Sequence, residues 1–558
     1  MLDSQMIDRL PTLSDLDDAP ARSVDQLLGE SDRDRRAGAI ALLVLMLLTI
    51  AVRGWVLDRA YRANAEGTCA GPLLCVARNY VRYGPAAARF GGVINAGQVP
   101  RDQWIVYAHH PPTVPLLVAA LQAVAGENEW TARLPSALFS VGCTALIFVM
   151  IRRRFGWVPA FASGAIYALC PLTLAFGDMP DYVNAQTVFF ALATVECYLR
   201  FFETRRRAWL GGMAAAFVLG AISDWPIFYL VPLLCAHALL RGGRRALIAI
   251  VLFGAASTAV FALVALWTGW TGGDGSIFSQ LAHRTFDLRT DGARGHIGLV
   301  QWVDRVILQH QWDLHTPLVL GLVVIYGLAT LRRLTTRQWA TLRRHDVVLL
   351  MLGWAVLHLL IGMQGNYQHE WWSVILTPGL AMAAGLVVAE IIAALPRPVL
   401  PPLPSATIAA IAVLAFAVPS ARIAKRYTMR EFNDRGGWKG YSLRDLGTTI
   451  RQISADDEGV LTSDYTDWTS MTAEPGLWWY ADRQLRPGIT NIERFRANLG
   501  AGAYPIYYGW VQPAGPRPRW FVIPEPTRSW AYLKPLATEL DATYAVRVVN
   551  GFRVYQLW

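Results

Sequence analysis

The chain has 558 residues, 54% of them hydrophobic and 16% charged, with 22 Trp and a mean hydropathy of +0.30. Soluble domains carry about 25% charged residues, so a string of water-soluble domains is excluded and a polytopic α-helical membrane protein is indicated. The net charge of +10 does not point to nucleic acid, because Lys occurs only as Lys425, Lys439 and Lys534 and no basic run interleaves with aromatics.

In chain order, residues 1–36 are polar and acid-rich with no apolar h-region, which predicts a cytoplasmic tail rather than a cleavable signal peptide. Eleven stretches then approach the roughly 20 apolar residues that a span needs. They lie at 37–57, 133–151, 157–177, 184–200, 209–223, 225–240, 246–268, 314–331, 347–363, 373–395 and 400–420. Residues 37–420 thus read as a transmembrane domain of about 11 helices. Arg33, Arg35 and Arg36 precede the first stretch. Arg152–Arg154, Arg205–Arg207, Arg241 with Arg244 and Arg245, Arg332 with Arg333, and Arg397 follow every second one. All these clusters fall on one side, which the positive-inside rule makes cytoplasmic. The outer loops are then 58–132, 178–183, about 224, 269–313 and 364–372. The apolar run 113–125 is short and follows Pro111–Pro112, so it is expected as a helix in the outer interface.

Segment 421–558 differs. LRDLGTTIRQI (443–453) has helical periodicity, whereas GVLTSD (459–464) and RWFVIPE (519–525) look like buried strands. YAVRVVNGFRVYQLW (544–558) alternates around Asn550–Gly551, a type I′ hairpin signal. A small extracytoplasmic α/β domain is expected. Cys69 and Cys75 share the first outer loop, where an oxidising compartment would allow a disulfide or two free thiols.

Polar residues capable of chemistry gather on the outer side. The first loop holds Asp58, Glu66, Arg78 and the run Tyr107-Ala108-His109-His110-Pro111-Pro112. Asp178 and Asp181 lie in the second outer loop, Asp224 in the third, and His369–Glu370 in the fifth. Carboxylates within the spans are confined to Glu196 and Glu390. A transport path would need ionisable groups near mid-membrane, so an enzyme with an outer site is favoured over a transporter or lipid flippase. A non-catalytic scaffold binding envelope polysaccharide is the third alternative.

The long first loop with its acidic residue, the HHPP run, the stretch Gly126-Glu127-Asn128-Glu129-Trp130-Thr131-Ala132-Arg133-Leu134-Pro135-Ser136 and Ala77-Arg78-Asn79-Tyr80-Val81-Arg82-Tyr83-Gly84 carry a family resemblance. Together they resemble the GT-C membrane glycosyltransferases, in the branch of protein O-mannosyltransferases and lipid A aminoarabinose transferases. The resemblance covers about 37–240 in detail and the rest in layout.

It implies a bacterial cytoplasmic-membrane enzyme with a polyprenyl-phosphate-sugar donor, used at the outer leaflet on a glycan, lipid or protein acceptor. It also implies an inverting displacement with a loop carboxylate as general base. An alcohol is a weak nucleophile, so a positioned carboxylate must take its proton as the bond forms. The leaving phosphate needs cationic or hydrogen-bonding partners.

By position the resemblance points to Glu66 as the base, although Ala65-Glu66-Gly67 lacks the usual Asp-Glu pair. Asp58 competes, and Asp178 and Asp181 could share the role. His110, His109, Arg78 and Arg133 are the candidates to meet the phosphate, because the membrane part has no Lys before Pro-Pro. Arg133 could instead snorkel at the outer face. Asp224, His369 and Glu370 are further candidates for the donor site. No cofactor is implied with certainty. A divalent metal stays open, since members of the superfamily differ and no compact acidic cluster is visible.

Overall fold

The structure, a computed structural model, describes residues 31–62, 64–242, 247–272, 298–394, 405–429, 442–463, 475–505, 511–512, 514–525 and 533–558. Most of the expected tail, residues 1–30, lies outside the described residues. Every one of the eleven apolar stretches carries helix. The first is α1 (Asp32–Gly54), with Ser31 accepting from the Asp34 N–H as its cap. The loop helices α2 (Ala65–Tyr83) and α3 (Thr113–Ala125) follow, and then α4 (Glu129–Phe155). That helix opens on a capping box between Asn128 and Thr131.

The stretch 157–177 is two helices, α5 (Trp157–Leu169) and α6 (Pro171–Phe176). Pro171 has no N–H to donate and forces Cys170 out of the helical region. Next come α7 (Ala185–Thr204), α8 (Arg207–Ala221), α9 (Leu230–Gly242) and α10 (Leu247–Gly272). The eighth stretch lies on α11 (Trp312–Thr335), which continues a helical lead-in from Leu299. The expected outer loop 269–313 is therefore largely helical from Leu299 onward. Its residues there mix Asp304, Arg305 and Gln309 with apolar ones, a pattern that hydropathy alone reads as loop. The last three are α12 (Asp346–Ile361), α13 (Thr377–Ala394) and α14 (Ser405–Met429).

Among the described residues six helices are long and apolar enough to cross a membrane: Asp32–Gly54, Glu129–Phe155, Trp225–Gly242, Leu247–Thr271, Leu299–Thr335 and Thr377–Ala394. Helices α5, α8 and α12 are apolar but shorter. Close approach between helices relies on small residues, as expected where lipid offers no hydrophobic drive. At Gly385 of α13 a Cβ would stand 2.2 Å from Ser163 Oγ of α5.

The bundle has two chemically distinct ends. At one, Gly38 of α1 touches the Arg152 side chain of α4. There Arg153 and Arg154 pair with Glu196 and Glu203 of α7, and Arg241 pairs with Asp346. Arg333 reaches Glu390. The arginine clusters thus gather together, and the carboxylates inside spans serve as their partners. At the other end, Arg53 near the close of α1 donates to the Thr173 carbonyl of α6.

At that second end the loop helices meet the C-terminal unit. Helix α15 (Leu443–Ile453) occupies the span expected for it, capped by Ser442. Five strands, β3 (Gly459–Thr462), β4 (Gln484–Arg486), β7 (Pro518–Pro524), β8 (Val546–Val549) and β9 (Phe552–Gln556), form a sheet in the order β4-β3-β7-β9-β8. Here β1 (Gly92–Val93) pairs with β2 (Val106–Tyr107), and β5 (Tyr504–Pro505) with β6 (Val511–Gln512).

Strand β3 runs parallel to β4 and β7, and the hairpin β8–β9 adds antiparallel strands. Asn550 and Gly551 turn that hairpin at φ 51° and 80°, as its two-residue loop requires. One core joins Leu74, Val76 and Tyr80 of α2 to Leu446, Trp478, Val460 and Val554. Gly71 permits this seam, since a Cβ there would lie 2.2 Å from the Pro475 carbonyl carbon.

Candidate functional site

Glu66 sits in the first turn of α2, where Asn64 accepts from the Gly67 N–H and fixes the helix start. One carboxylate oxygen accepts from Arg133 Nε at 2.9 Å and the other from Arg59 Nη2 at 2.7 Å. Arg133 is fully buried at the head of α4; its Nη1 donates to the Leu57 and Arg59 carbonyls. Its guanidinium carbon lies 4.2 Å from the Tyr61 ring centroid. Asp178 completes the group, 3.7 Å from Arg133 Nε and 3.9 Å from Arg53 Nη1. Arg133 is therefore held among carboxylates and does not snorkel.

The electrostatics separate the carboxylates. Burial alone would raise the Glu66 carboxyl, but Arg133 and Arg59 more than offset it and hold it below its ordinary value. Burial raises Asp178, and the Glu66 charge raises it further. Asp181 is buried, accepts from no guanidinium among the described residues, and is pushed up by that burial to about 6, with His110 opposing the rise. Its two oxygens accept from the Tyr182 N–H at 2.8 Å and from Trp371 Nε1 at 2.7 Å.

A second cluster adjoins Asp181. His110 Nδ1 lies 2.8 Å from Asp224 Oδ1, and both groups are buried. The imidazole stacks on Tyr182 at 4.8 Å and lies parallel to Tyr107 at 5.9 Å. His109 contributes its carbonyl to Trp225 Nε1 and its ring to Tyr107. The His369 ring lies 4.6 Å from that of Trp371, tilted by 40°, and Trp371 is the residue bonded to Asp181. Glu370 and Asp181 both act electrostatically on Cys69. The fold thus brings Glu66, Arg133, Asp178, Asp181, His110, Asp224 and the 369–371 turn to one end of the bundle.

Two expected residues stand apart. Asp58 is exposed, and its backbone carbonyl accepts from Arg444. Arg78 is buried, but it binds Glu127 at 2.8 Å, Asp482 at 3.1 Å and the Trp479 carbonyl. It ties α2 to the C-terminal unit, so its donors face protein rather than the cluster. Sequence reasoning missed Arg53, Arg59, Tyr182 and Trp371. Arg53 carried a usable signal, as an ionised residue inside an apolar stretch marks a functional position by default. Cys69 and Cys75 are both free thiols. Six positions apart on one helix, they stand about 9 Å apart along its axis, beyond the reach of a disulfide. Among the described residues no group of three or more His, Cys, Asp or Glu is placed to hold a metal ion.

Residues 109–270 match the family described as dolichyl-phosphate-mannose-protein mannosyltransferase. YkcB of Bacillus subtilis, a candidate mannosyltransferase by its name, is 27% identical over 140 residues, or 24% of this chain. The match spans 19% of that relative, so the chain covers about a fifth of the curated protein it matches. ArnT from Cupriavidus metallidurans in the apo state superposes with a TM-score of 0.55 at 15% identity, over 93% of this chain and 98% of that one. The same enzyme bound to undecaprenyl phosphate gives 0.52 at 15% identity, over 92% and 97%. The Archaeoglobus fulgidus oligosaccharyltransferase in the apo form gives 0.51 at 13% identity, over 84% and 66%. By its superposition on ArnT over 93% of its length the chain has the GT-C fold, the fold of that enzyme.

Proposed function

We propose that the protein transfers a sugar from a polyprenyl-phosphate donor to an acceptor hydroxyl, with inversion, at the outer face of a bacterial cytoplasmic membrane. The observation that carries this is the buried carboxylate Asp181, held by the Tyr182 N–H and Trp371 Nε1 and pushed up to about 6, with the buried His110–Asp224 pair acting on it. A general base works best with a pKa near the operating pH. Asp181 meets that requirement, whereas Glu66 is locked as a counter-ion between Arg133 and Arg59.

In the proposed step the acceptor oxygen forms a bond to the sugar C1 as its proton passes to Asp181. The C1–O bond to phosphate breaks, and polyprenyl phosphate leaves with the electron pair. His110, oriented by Asp224, and Arg59 are the groups assigned to the departing phosphate. Undecaprenyl phosphate is the natural first lipid to try, as the ligand of the structurally similar ArnT. The arginine-rich end of the bundle is assigned to the cytoplasm and the unit 421–558 to the outside, by the charge rule. The acceptor is a glycan, lipid or protein hydroxyl.

The test is transfer from a polyprenyl-phosphate sugar in membranes expressing the wild type, Asp181→Asn or Glu66→Gln. Asp181→Asn should lose about 10²–10⁴-fold in rate, the usual worth of a positioned base. Wild-type rates in both variants would remove the carboxylate assignment.

A further inference from the structure

Residues 55–62, between α1 and α2, form turns and irregular chain. Such a segment has no ladder of its own, so its course is set by the partners that its N–H and C=O groups find elsewhere. The membrane bundle supplies some of them. Arg133 Nη1 donates to the carbonyls of Leu57 and Arg59, and Asn64 just beyond donates through Nδ2 to the Thr428 carbonyl of α14 at 3.1 Å.

Others come from the C-terminal unit. Arg444, in the first turn of α15, donates through Nη2 to the Asp58 carbonyl at 3.0 Å. Tyr480, on the helix α16 (Pro475–Ala481), accepts the Tyr61 N–H on its hydroxyl at 2.9 Å. These contacts fall one residue before Arg59 and two residues after it. Both side chains are tied to one carboxylate of the bundle. Glu129 Oε1 accepts from the Tyr480 hydroxyl at 2.6 Å and from Arg444 Nε at 2.7 Å. Glu129 lies in the first turn of α4, one turn ahead of Arg133. Tyr61, Glu129 and Tyr480 are buried. The Tyr61 ring packs edge-on against Trp479 at 5.6 Å and covers the Arg133 guanidinium at 4.2 Å. The backbone on either side of Arg59 is thus pinched between the bundle and the C-terminal unit.

Of the three arginines around Glu66 and Asp178, Arg59 is the one a ligand can reach. Its side chain is 22% exposed, against 2% for Arg53 and 0% for Arg133. Its Nη2 holds Glu66, while its Nε has no hydrogen-bond partner among the described residues. A guanidinium reads phosphate through the placement of its fork, and a misplacement of about 1 Å in a reacting geometry can cost on the order of 100-fold.

We infer that Tyr480 and Arg444 are positioning residues for Arg59, so that the phosphate-binding half of the site is complete only with the C-terminal unit docked. They act through the backbone of residues 58–61 and touch no substrate. The inference rests on the transferase reading above, in which Arg59 meets the departing phosphate.

The test compares binding of undecaprenyl phosphate and of undecaprenol, the same chain without its charge, to the detergent-solubilised full chain. The wild type should prefer the phosphate about tenfold or more, and Arg59→Gln should lose most of that preference. Tyr480→Phe keeps the ring and removes both hydrogen bonds of the hydroxyl. It should weaken the phosphate lipid about three- to tenfold and leave undecaprenol unchanged, which also shows that the variant folds. Arg444→Met should do the same. In the Arg59→Gln background Tyr480→Phe should add less than about twofold, because the group it positions is gone. Wild-type phosphate affinity in either Tyr480→Phe or Arg444→Met, equal weakening of both lipids, or full additivity of Tyr480→Phe with Arg59→Gln would overturn the inference. A wild type that binds both lipids alike, or an Arg59→Gln variant with wild-type phosphate affinity, would instead overturn the reading on which it rests.

Discussion

Replacing Arg133 by Met keeps most of the side-chain length and removes the charge that organises the second end of the bundle. Two hydrogen bonds to backbone carbonyls, the contact with Glu66 at 2.9 Å and the face of Tyr61 at 4.2 Å are lost together. Glu66 keeps Arg59, and Asp178 keeps Arg53 at 3.9 Å. Truncating one member of a buried ion pair costs about 3–5 kcal/mol, because the partner stays buried and under-compensated. At about 2 °C per kcal/mol for a large chain, the melting temperature should fall by on the order of 5–10 °C. Intrinsic fluorescence of the 22 Trp, followed at one fixed heating rate in detergent, reports it. In the Glu66→Gln background Arg133 has already lost that partner, so the double variant should recover about 1–3 kcal/mol relative to the sum of the singles. A single variant that melts with the wild type, or strictly additive effects, would refute the idea that Arg133 is held by the carboxylates.

Three further outcomes are expected. Transfer should hold above about pH 6 and decline below it, because Asp181 must be ionised to accept a proton and protonates there; Asp181→Asn should abolish that limb of the pH–rate profile along with most of the rate. Asp482→Asn should loosen the C-terminal unit from α2, since its carboxylate binds Arg78, Arg82 and the Gly97 N–H. Those contacts hold its carboxyl below the usual 3.8, so the stabilisation is present above that value and lost as pH falls further. Limited proteolysis at neutral pH should cut the variant faster by about 10-fold or more. Finally, reductant should leave the melting temperature unchanged, because Cys69 and Cys75 are free; a shift of several degrees on adding dithiothreitol would contradict this.

Helix existence was legible because burying or lipid-exposing an apolar run requires the backbone to satisfy itself locally, and composition records that requirement. LRDLGTTIRQI became α15 over the very residues 443–453, and the Asn550–Gly551 hairpin turned where expected. The lead-in from Leu299 was illegible, because its polar residues follow helical geometry without apolar weight. Candidate residues were legible as a set on one side of the chain map, but their roles were not. Glu66 and Asp181 are both loop carboxylates in the sequence. One is clamped by two guanidiniums from α4 and the 58–62 turn, while the other meets only an amide, an indole and a nearby imidazole.

Taken alone, the sequence determined that this is a polytopic helical protein, which bundle end collects arginine and which collects acids and imidazoles, and that an α/β unit follows. Those properties depend on composition and short-range periodicity. Tertiary structure decided which carboxylate is a counter-ion and which is poised near neutrality, that Arg78 serves the C-terminal unit, and that Asp224 reaches His110 across 114 positions. These depend on distances between groups far apart in the chain, and a carboxylate's charge state follows its nearest charges and its burial rather than its sequence neighbours.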